Sequence, residues 1–419
     1  MEINKERLWE RQHQIGKIGA DPKGGISRFP WTKEYKEAVG LLKVWMESIG
    51  MKVRNDTVGN LFGRYEGTEN VPAVLVGSHL DTVPQGGYFD GLTGIMAALE
   101  AVTTLSEHGE RLRHPIEVVA FINEEGNEFL GGCFGSKAIA GQLPDDYAKT
   151  CFNKRNGKSM YDAMLEFGMD LDPDNIKGSV VRREDYCCFI ETHVEQGRYL
   201  LDNGYPLAVV DSIAGIRQFF ITLQGVSCHA GGMAMEDRHD ALAAGAQIAV
   251  KLEELCLASS TQTRGTVGSI IAEPGEHNIV AGKCTVAIDI REAENETFEK
   301  IYEALLTYIK EICSERGLRF SISTTLEENP VHCSEKLKTI FDECMGKENI
   351  RHTHMVSFPS HDAQQIAKIM PVGMIFIRSS NEGCSHCPEE YTTKEDLAEG
   401  AEILYQSLRV AASMEENGF

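Results

Sequence analysis

Four short runs, Ala73–Val76, Ile116–Phe121, Phe189–His193 and Met374–Ile377, are mostly apolar and each gives way within a few residues to histidine or acid. Continuous apolar segments of this length, bounded by turn-forming residues, are too short for helices and read as buried parallel strands. In open α/β sheets, ligands bind beyond the C-terminal ends of such strands. The first run enters GSHLDTVPQGGYFDG (77–91), with His79 and Asp81 at the strand end, Asp90 after the turn Gln85-Gly86-Gly87, and Gly91 opening a helix over 92–107 closed by Gly109. The second ends on Asn123-Glu124-Glu125-Gly126. The third ends on His193, in HVEQG, and the fourth leads to Gly383-Cys384-Ser385-His386.

At 419 residues the chain is long enough for two or three domains. A helix is predicted over 33–49 behind Thr32, and loops with one short helix over 144–185. Around Ser212 the pattern changes: strand (QFFITLQG), helix (238–257), two strands (TVGSIIAE, CTVAIDIR), helix (295–316) and strand (RFSISTTL) make a βαββαβ, ferredoxin-like unit. Helices near 334–345, from His361-Asp362-Ala363 and over 394–412 then resume the first pattern. The expected fold is therefore α/β: a catalytic domain with a mixed, mainly parallel sheet, residues 1–212 and 328–419, interrupted by an inserted domain, residues 213–327.

A formal charge of −22, from 41 basic and 63 acidic residues, argues against a nucleic-acid partner. The N-terminus has no apolar signal region and no stretch approaches a bilayer span, so no membrane partner and a cytoplasmic location are expected. The twelve cysteines are scattered, many inside apolar runs, as in a reducing compartment. The lone pair Cys384 and Cys387 does not by itself make a zinc site.

His79, Asp90, Glu125, His193 and His386 all follow strands or their turns, and histidine with carboxylate suits zinc, manganese or cobalt. Three histidines and two carboxylates can hold two ions, about 3.5–4 Å apart, if one carboxylate bridges. Asp81, two residues beyond His79 in extended chain, is expected to accept the other ring N–H of His79. Glu124 points elsewhere than Glu125 and is left free as a base for the attacking water.

GSHLDTVPQGGYFDG, NEEGNEF, HVEQG, CHAG, PGEHNIV, DIRE, SHDAQ and SHCPEE, in this order, resemble the hydantoinase/carbamoylase amidases of the di-zinc aminoacylase and carboxypeptidase superfamily. The resemblance implies two divalent ions per subunit (zinc, manganese or cobalt), His79, Asp90 and His193 around one and Asp90, Glu125 and His386 around the other. It implies Glu124 as general base, Asp81 as orienting acid, and an inserted lid domain through which a homodimer forms. Substrate contacts would fall on His229, Asn278 and Arg291 of that domain and on Gln196. Arg217 matches a position where allantoate enzymes carry arginine. Ser360, where the family usually has glycine, also joins the expected substrate-binding set. Ala234 replaces a common proline, and Cys384 and Cys387 flank His386 where aliphatic and small residues are usual.

Read from its surroundings alone, Arg291 ends an apolar strand and either captures a substrate carboxylate or forms a surface ion pair. His229, in a small-residue loop, either stabilises an oxyanion or holds a turn. Asn278 either bonds a ureido oxygen or holds its turn, and His361 with Asp362 either supports the site or caps a helix. The expected activity is hydrolysis of an N-carbamoyl-L-amino acid, a small ureido acid, to the amino acid, ammonia and carbon dioxide. Allantoate is the second candidate, and an aminoacylase or dipeptidase acting on an ordinary amide the third.

Overall fold

The apolar runs form the middle of one sheet in the computed structural model, which describes residues 2–129, 131–415 and 418–419. Two units are distinguished: Met1–Asp211, Cys333–Met355 and His361–Phe419 form the first, and Ser212–His332 with Val356–Ser360 the second.

Strands are numbered along the chain. The first unit is built on β1 (Lys52–Asn55), β2 (Leu61–Tyr65), β3 (Ala73–His79), β4 (Ile116–Phe121), β5 (Tyr186–Val194), β6 (Leu207–Ile213) and β15 (Val372–Ile377), in the order β1-β2-β4-β3-β5-β15-β6. A further strand, β14 (His352–Ser357), pairs with β6. The four central strands β4, β3, β5 and β15 are parallel. The pairs at either side, β1 with β2, β2 with β4 and β6 with β15, are antiparallel. Every residue of β3, β4, β5 and β15 is buried, as expected where helices cover both faces of a sheet. Helix Leu92–Glu107 packs on β3 and against helix Lys394–Ala411. Because the central strands are parallel, their C-terminal ends lie along one edge, and His79, Glu124, His193 and His386 all leave from that edge.

Helix Lys33–Ser48 starts where its sequence suggested, with the Thr32 hydroxyl accepting from Tyr35 N–H. Between residues 144 and 185 the chain forms two α-helices where one was expected, Tyr147–Thr150 and Met160–Phe167. The second is capped by Ser159 and buries Met160, Met164 and Phe167.

In the second unit, β7 (Gly215–Gln224), helix Ala241–Ser259, β9 (Arg264–Glu273), β11 (Lys283–Glu292), helix Asn295–Glu315 and β12 (Arg319–Glu328) follow one another. The strands pair in the order β12-β7-β11-β9, all antiparallel. Burial alternates along β11, so one face packs on the two helices and the other stays open. Two short strands, β8 (Cys228–His229) and β10 (Ile279–Val280), pair beside this sheet, and β13 (Val331–His332) pairs with Ser212 and Ile213. Residues 356–360 group with this unit although they lie outside the single insertion expected. Arg291 Nη1 donates to the Phe358 carbonyl at 2.8 Å and the Arg264 guanidinium lies 4.3 Å from the Phe358 ring.

Candidate metal centre

His79 is the last residue of β3 and His193 the second-last of β5, and both rings are almost fully buried. Their hydrogen bonds fix which nitrogen is free. His79 Nδ1 donates to the Asp81 main-chain carbonyl (3.1 Å), and His193 Nδ1 to that of Val194 (2.9 Å). Gly91 N–H points at His193 Nε2 from 3.1 Å, which marks that nitrogen as the unprotonated one. Both Nε2 atoms then stand 3.2 Å from the same oxygen, Asp90 Oδ1. Two lone pairs aimed at one carboxylate oxygen are stable only with a cation or extra protons among them. The approach of Asp90 depends on Gly91, at φ +64, because a Cβ there would fall 2.4 Å from the His79 ring.

The other oxygen, Asp90 Oδ2, accepts from Gln196 Nε2 (2.6 Å) and lies 3.4 Å from His386 Nε2. His386 Nε2 is 3.6 Å from Glu125 Oε2, while Glu125 Oε1 is buried without a hydrogen-bond partner among the described residues. An unpaired buried carboxylate oxygen is costly unless an ion takes it. Among the described residues, three groups could hold an ion: His79 with Asp90 and His193; Asp90 with Glu125 and His386; and His79 with Glu124 and Glu125. The first two share Asp90. The third brings in Glu124, which the sequence suggested only as a base. The residues present thus suit divalent-metal chemistry on their donor set alone.

The electrostatics agree. Burial disfavours the charged form of Asp90, but His193, His386 and His79 outweigh it and hold its carboxyl well below the usual range. Burial likewise opposes a charged His79, yet Asp90, Glu124 and Asp81 raise it well above its ordinary value. Glu124 and Glu125 are raised, first by burial and then by neighbouring carboxylates, Glu125 well above the usual range. Glu124 Oε1 accepts from Cys133 Sγ at 3.3 Å, and Oε2 is 3.9 Å from His79 Nε2.

Two expectations change, and one open alternative drops out. The Asp81 carboxylate does not take the His79 N–H, because the Asp81 main-chain carbonyl is nearer and Oδ1 lies 4.0 Å away. Its two oxygens instead accept from Glu124 N–H and Glu125 N–H, each at 3.1 Å, so it fixes the acidic pair rather than the ring. Arg217 does not offer a free guanidinium: it is buried, bonded to Glu299 (2.9 Å) and Glu327 (2.6 Å), and stacked 4.1 Å from the Tyr302 ring. His361 and Asp362 do not form a capping pair; the His361 ring packs edge-on against His193, 4.6 Å between centroids, and Asp362 accepts from Ser136.

In the second unit, His229 pairs opposite Ile279, and Ala230 N–H donates to the Asn278 carbonyl at 2.8 Å, so His229 and Asn278 are neighbours, both exposed. Arg291 is held in a two-point pair with Asp289 (3.0 and 3.2 Å) and lines an open groove of about 710 Å³. Ser360 is half-buried at the end of the 356–360 segment. Cys384 and Cys387 are free thiols, half-buried on either side of His386.

Sequence reasoning missed Glu191, whose carboxylate accepts from Ser78 Oγ (2.7 Å) and Ala363 N–H (2.9 Å) beneath the site. A glutamate inside an apolar strand was the available signal, since a buried acid needs such partners. It also missed Glu390, whose carboxylate accepts from Asp90 N–H at 2.9 Å.

The chain matches peptidase family M20/M25/M40 over residues 75–410. The N-carbamoyl-L-amino acid amidohydrolase of Geobacillus stearothermophilus is 40% identical over 407 residues, 97% of this chain and 98% of that protein. The allantoate amidohydrolase of Bacillus subtilis (strain 168) is 36% identical over 396 residues, 93% of each. Among solved structures, an amidase of the hydantoinase/carbamoylase family from Burkholderia multivorans superposes with a TM-score of 0.89 at 29% identity, covering 98% of both chains. Likeness over nearly the full length of each of these proteins, on top of the family match, leads to one conclusion: the chain belongs to peptidase family M20/M25/M40.

Proposed function

We propose that the protein hydrolyses the ureido C–N bond of a small carboxylate substrate, foremost an N-carbamoyl-L-amino acid, to the amino acid, ammonia and carbon dioxide. The observation that carries this reading is the convergence of two imidazoles on Asp90 beside Glu124, in a chain similar end to end to an N-carbamoyl-L-amino acid amidohydrolase. In this reading His79, Asp90 and His193 hold one divalent ion and Asp90, Glu125 and His386 a second, both zinc, manganese or cobalt. When bound, such ions supply Lewis acidity to the ureido carbonyl.

The protein's own groups divide the remaining work. Glu124, whose proton affinity burial raises, takes a proton from the attacking water and passes it to the leaving nitrogen. Asp81 holds the main chain of residues 124 and 125 so that both carboxylates keep their aim. Substrate contacts are assigned to Gln196, His229, Asn278, Arg291 and Ser360 on the motifs that carry them, with His229 for the oxyanion and Arg291 for the carboxylate. Arg291 must then exchange Asp289 for substrate. Arg217 is left out, since Glu299 and Glu327 already bond both of its Nη groups. Residues 213–327 act as a ferredoxin-like lid and dimerisation domain, the enzyme works as a cytoplasmic homodimer, and its two-metal catalytic domain comprises 1–212 and 328–419. Among the described residues no helix is long and apolar enough to cross a membrane.

The test is a screen for ammonia release by metal-reconstituted protein offered N-carbamoyl amino acids, allantoate and ureidoglycolate, with N-acyl amino acids and dipeptides assayed for amide cleavage. Turnover of N-carbamoyl-L-amino acids is expected to dominate; cleavage of ordinary amides alone would sink the proposal.

A further inference from the structure

Glu390 closes the SHCPEE segment four residues after His386, and it is buried. Both oxygens are fully engaged. Oε1 accepts from Phe89 N–H and Asp90 N–H, each at 2.9 Å, and Oε2 pairs with Ser385 Oγ at 2.7 Å. Ser385 Oγ is also 3.0 Å from Asp90 Oδ2. The hydroxyl therefore stands between two carboxylates and shares its single O–H between them. Room for this reach depends on Gly87, where a Cβ would fall 2.3 Å from Glu390 Cβ. One side chain thus holds Asp90 twice, by its main chain and, through Ser385, by its carboxylate.

The loop so anchored needs an anchor. His386 has φ +58, its side chain is half exposed, and no regular strand or helix covers residues 384–390. Metal sites lose affinity when the groups behind their ligands are removed, because a ligand that must be ordered on binding costs free energy. Glu390 cannot itself be a ligand without giving up these bonds.

We propose that Glu390 is a positioning residue: with Ser385 it clamps the Asp90 segment to the His386 loop, so that both side chains are presented together to a divalent ion. This inference rests on the reading of Asp90 and His386 as metal ligands. The experiment is titration of metal-free protein with Mn²⁺, followed by calorimetry, for the wild type and for Glu390→Ala, Glu390→Gln and Ser385→Ala, each first checked for native circular dichroism. Glu390→Ala is expected to weaken binding by about tenfold or more. Glu390→Gln should rescue it to within about threefold, since its amide oxygen still accepts from both N–H groups and its NH₂ still reaches Ser385. Should Glu390→Ala not fold, Ser385→Ala decides, with a loss of about threefold expected from one hydrogen bond. Unchanged affinity in Glu390→Ala, or in Ser385→Ala, overturns the clamp. So does a Gln variant as weak as the Ala variant, which would show that charge rather than hydrogen bonding matters. Wild-type protein that binds no Mn²⁺, Zn²⁺ or Co²⁺ would instead bring down the two-metal reading, and the clamp with it.

Discussion

The central strands of the first unit and the strands of the second differ in what their side chains face. Along β5 all nine residues are buried, whereas along β11 every second residue is. In the parallel sheet no side chain within a strand can meet solvent, so chemistry is confined to the places where strands end. His79, Glu124, His193 and His386 stand there. In the antiparallel sheet, one face is only partly covered, and polar residues such as Gln218, Asp289 and Arg291 line a groove on it. The first arrangement fixes a few groups rigidly at one edge, as a metal centre demands. The second offers a broad face that can change its polar residues without disturbing its core.

The comparison can be broken most severely at the shared ligand. On the two-ion proposal, Asp90→Ala removes both ions and all measurable hydrolysis, while Asp81→Ala keeps much of the metal and loses rate; metal analysis with the reverse ranking would overturn the roles proposed for these two acids. Next in size, Glu124→Gln should lower kcat by roughly 10² to 10⁴-fold with metal content unchanged. Loss of metal in this variant would show that Glu124 is a ligand, as its grouping with His79 and Glu125 allows.

A smaller effect separates the two sheets by stability. Ile190→Ala, in fully buried β5, should cost about 2–5 kcal/mol. Ile271→Thr, on β9 at 58% exposure, should change stability by about 0.5 kcal/mol or less. Denaturant titration of both variants measures the contrast, and equal losses would refute it.

The smallest effect concerns pH. His354 lies between Asp211 (2.8 Å from Nδ1) and Asp342 (3.0 Å from Nε2), with Lys338 and His352 beside the same carboxylates. Burial pulls its pKa down, but the two carboxylates outweigh burial and raise it above 6.5. A pKa raised by folding means the stabilisation is fully present below about 6.5 and is lost as pH rises through the folded value. With the side chain 41% exposed, water screens the pairs and the gain stays small. The thermal midpoint of the wild type should therefore fall relative to that of His354→Gln as pH increases; parallel curves would remove the effect.

Much of the first unit was legible because its signals are local. Helix Leu92–Glu107 has the bounds that Gly91 and Gly109 suggest, and an apolar run followed by His or Glu marks each central strand end. His79, Asp90 and His193 lie close together, as do Asp90, Glu125 and His386, and each follows a strand or its turn in the sequence. What escaped depended on distant partners. Asp81 was placed correctly but bonded wrongly, because only the folded chain shows that residues 124 and 125 present their N–H groups to it. Arg217 looked like a substrate cation, but Glu299 and Glu327, far along the sequence, bond both of its Nη groups. Strands β6 and β14 and the pairing of Glu390 with Asp90 are likewise set by contacts between segments far apart in sequence.

Strand order also carries a consequence for how the chain is made. β15, residues 372–377, lies between β5 and β6, which end at residues 194 and 213. During synthesis β5 and β6 emerge before the second unit, and β15, which lies between them, emerges after it. Four of the five metal-ligand candidates precede that unit and His386 follows it, so a nascent chain cannot complete the centre. A second unit that has already folded brings residues 212 and 332 close together and shortens the effective loop that β15 must close.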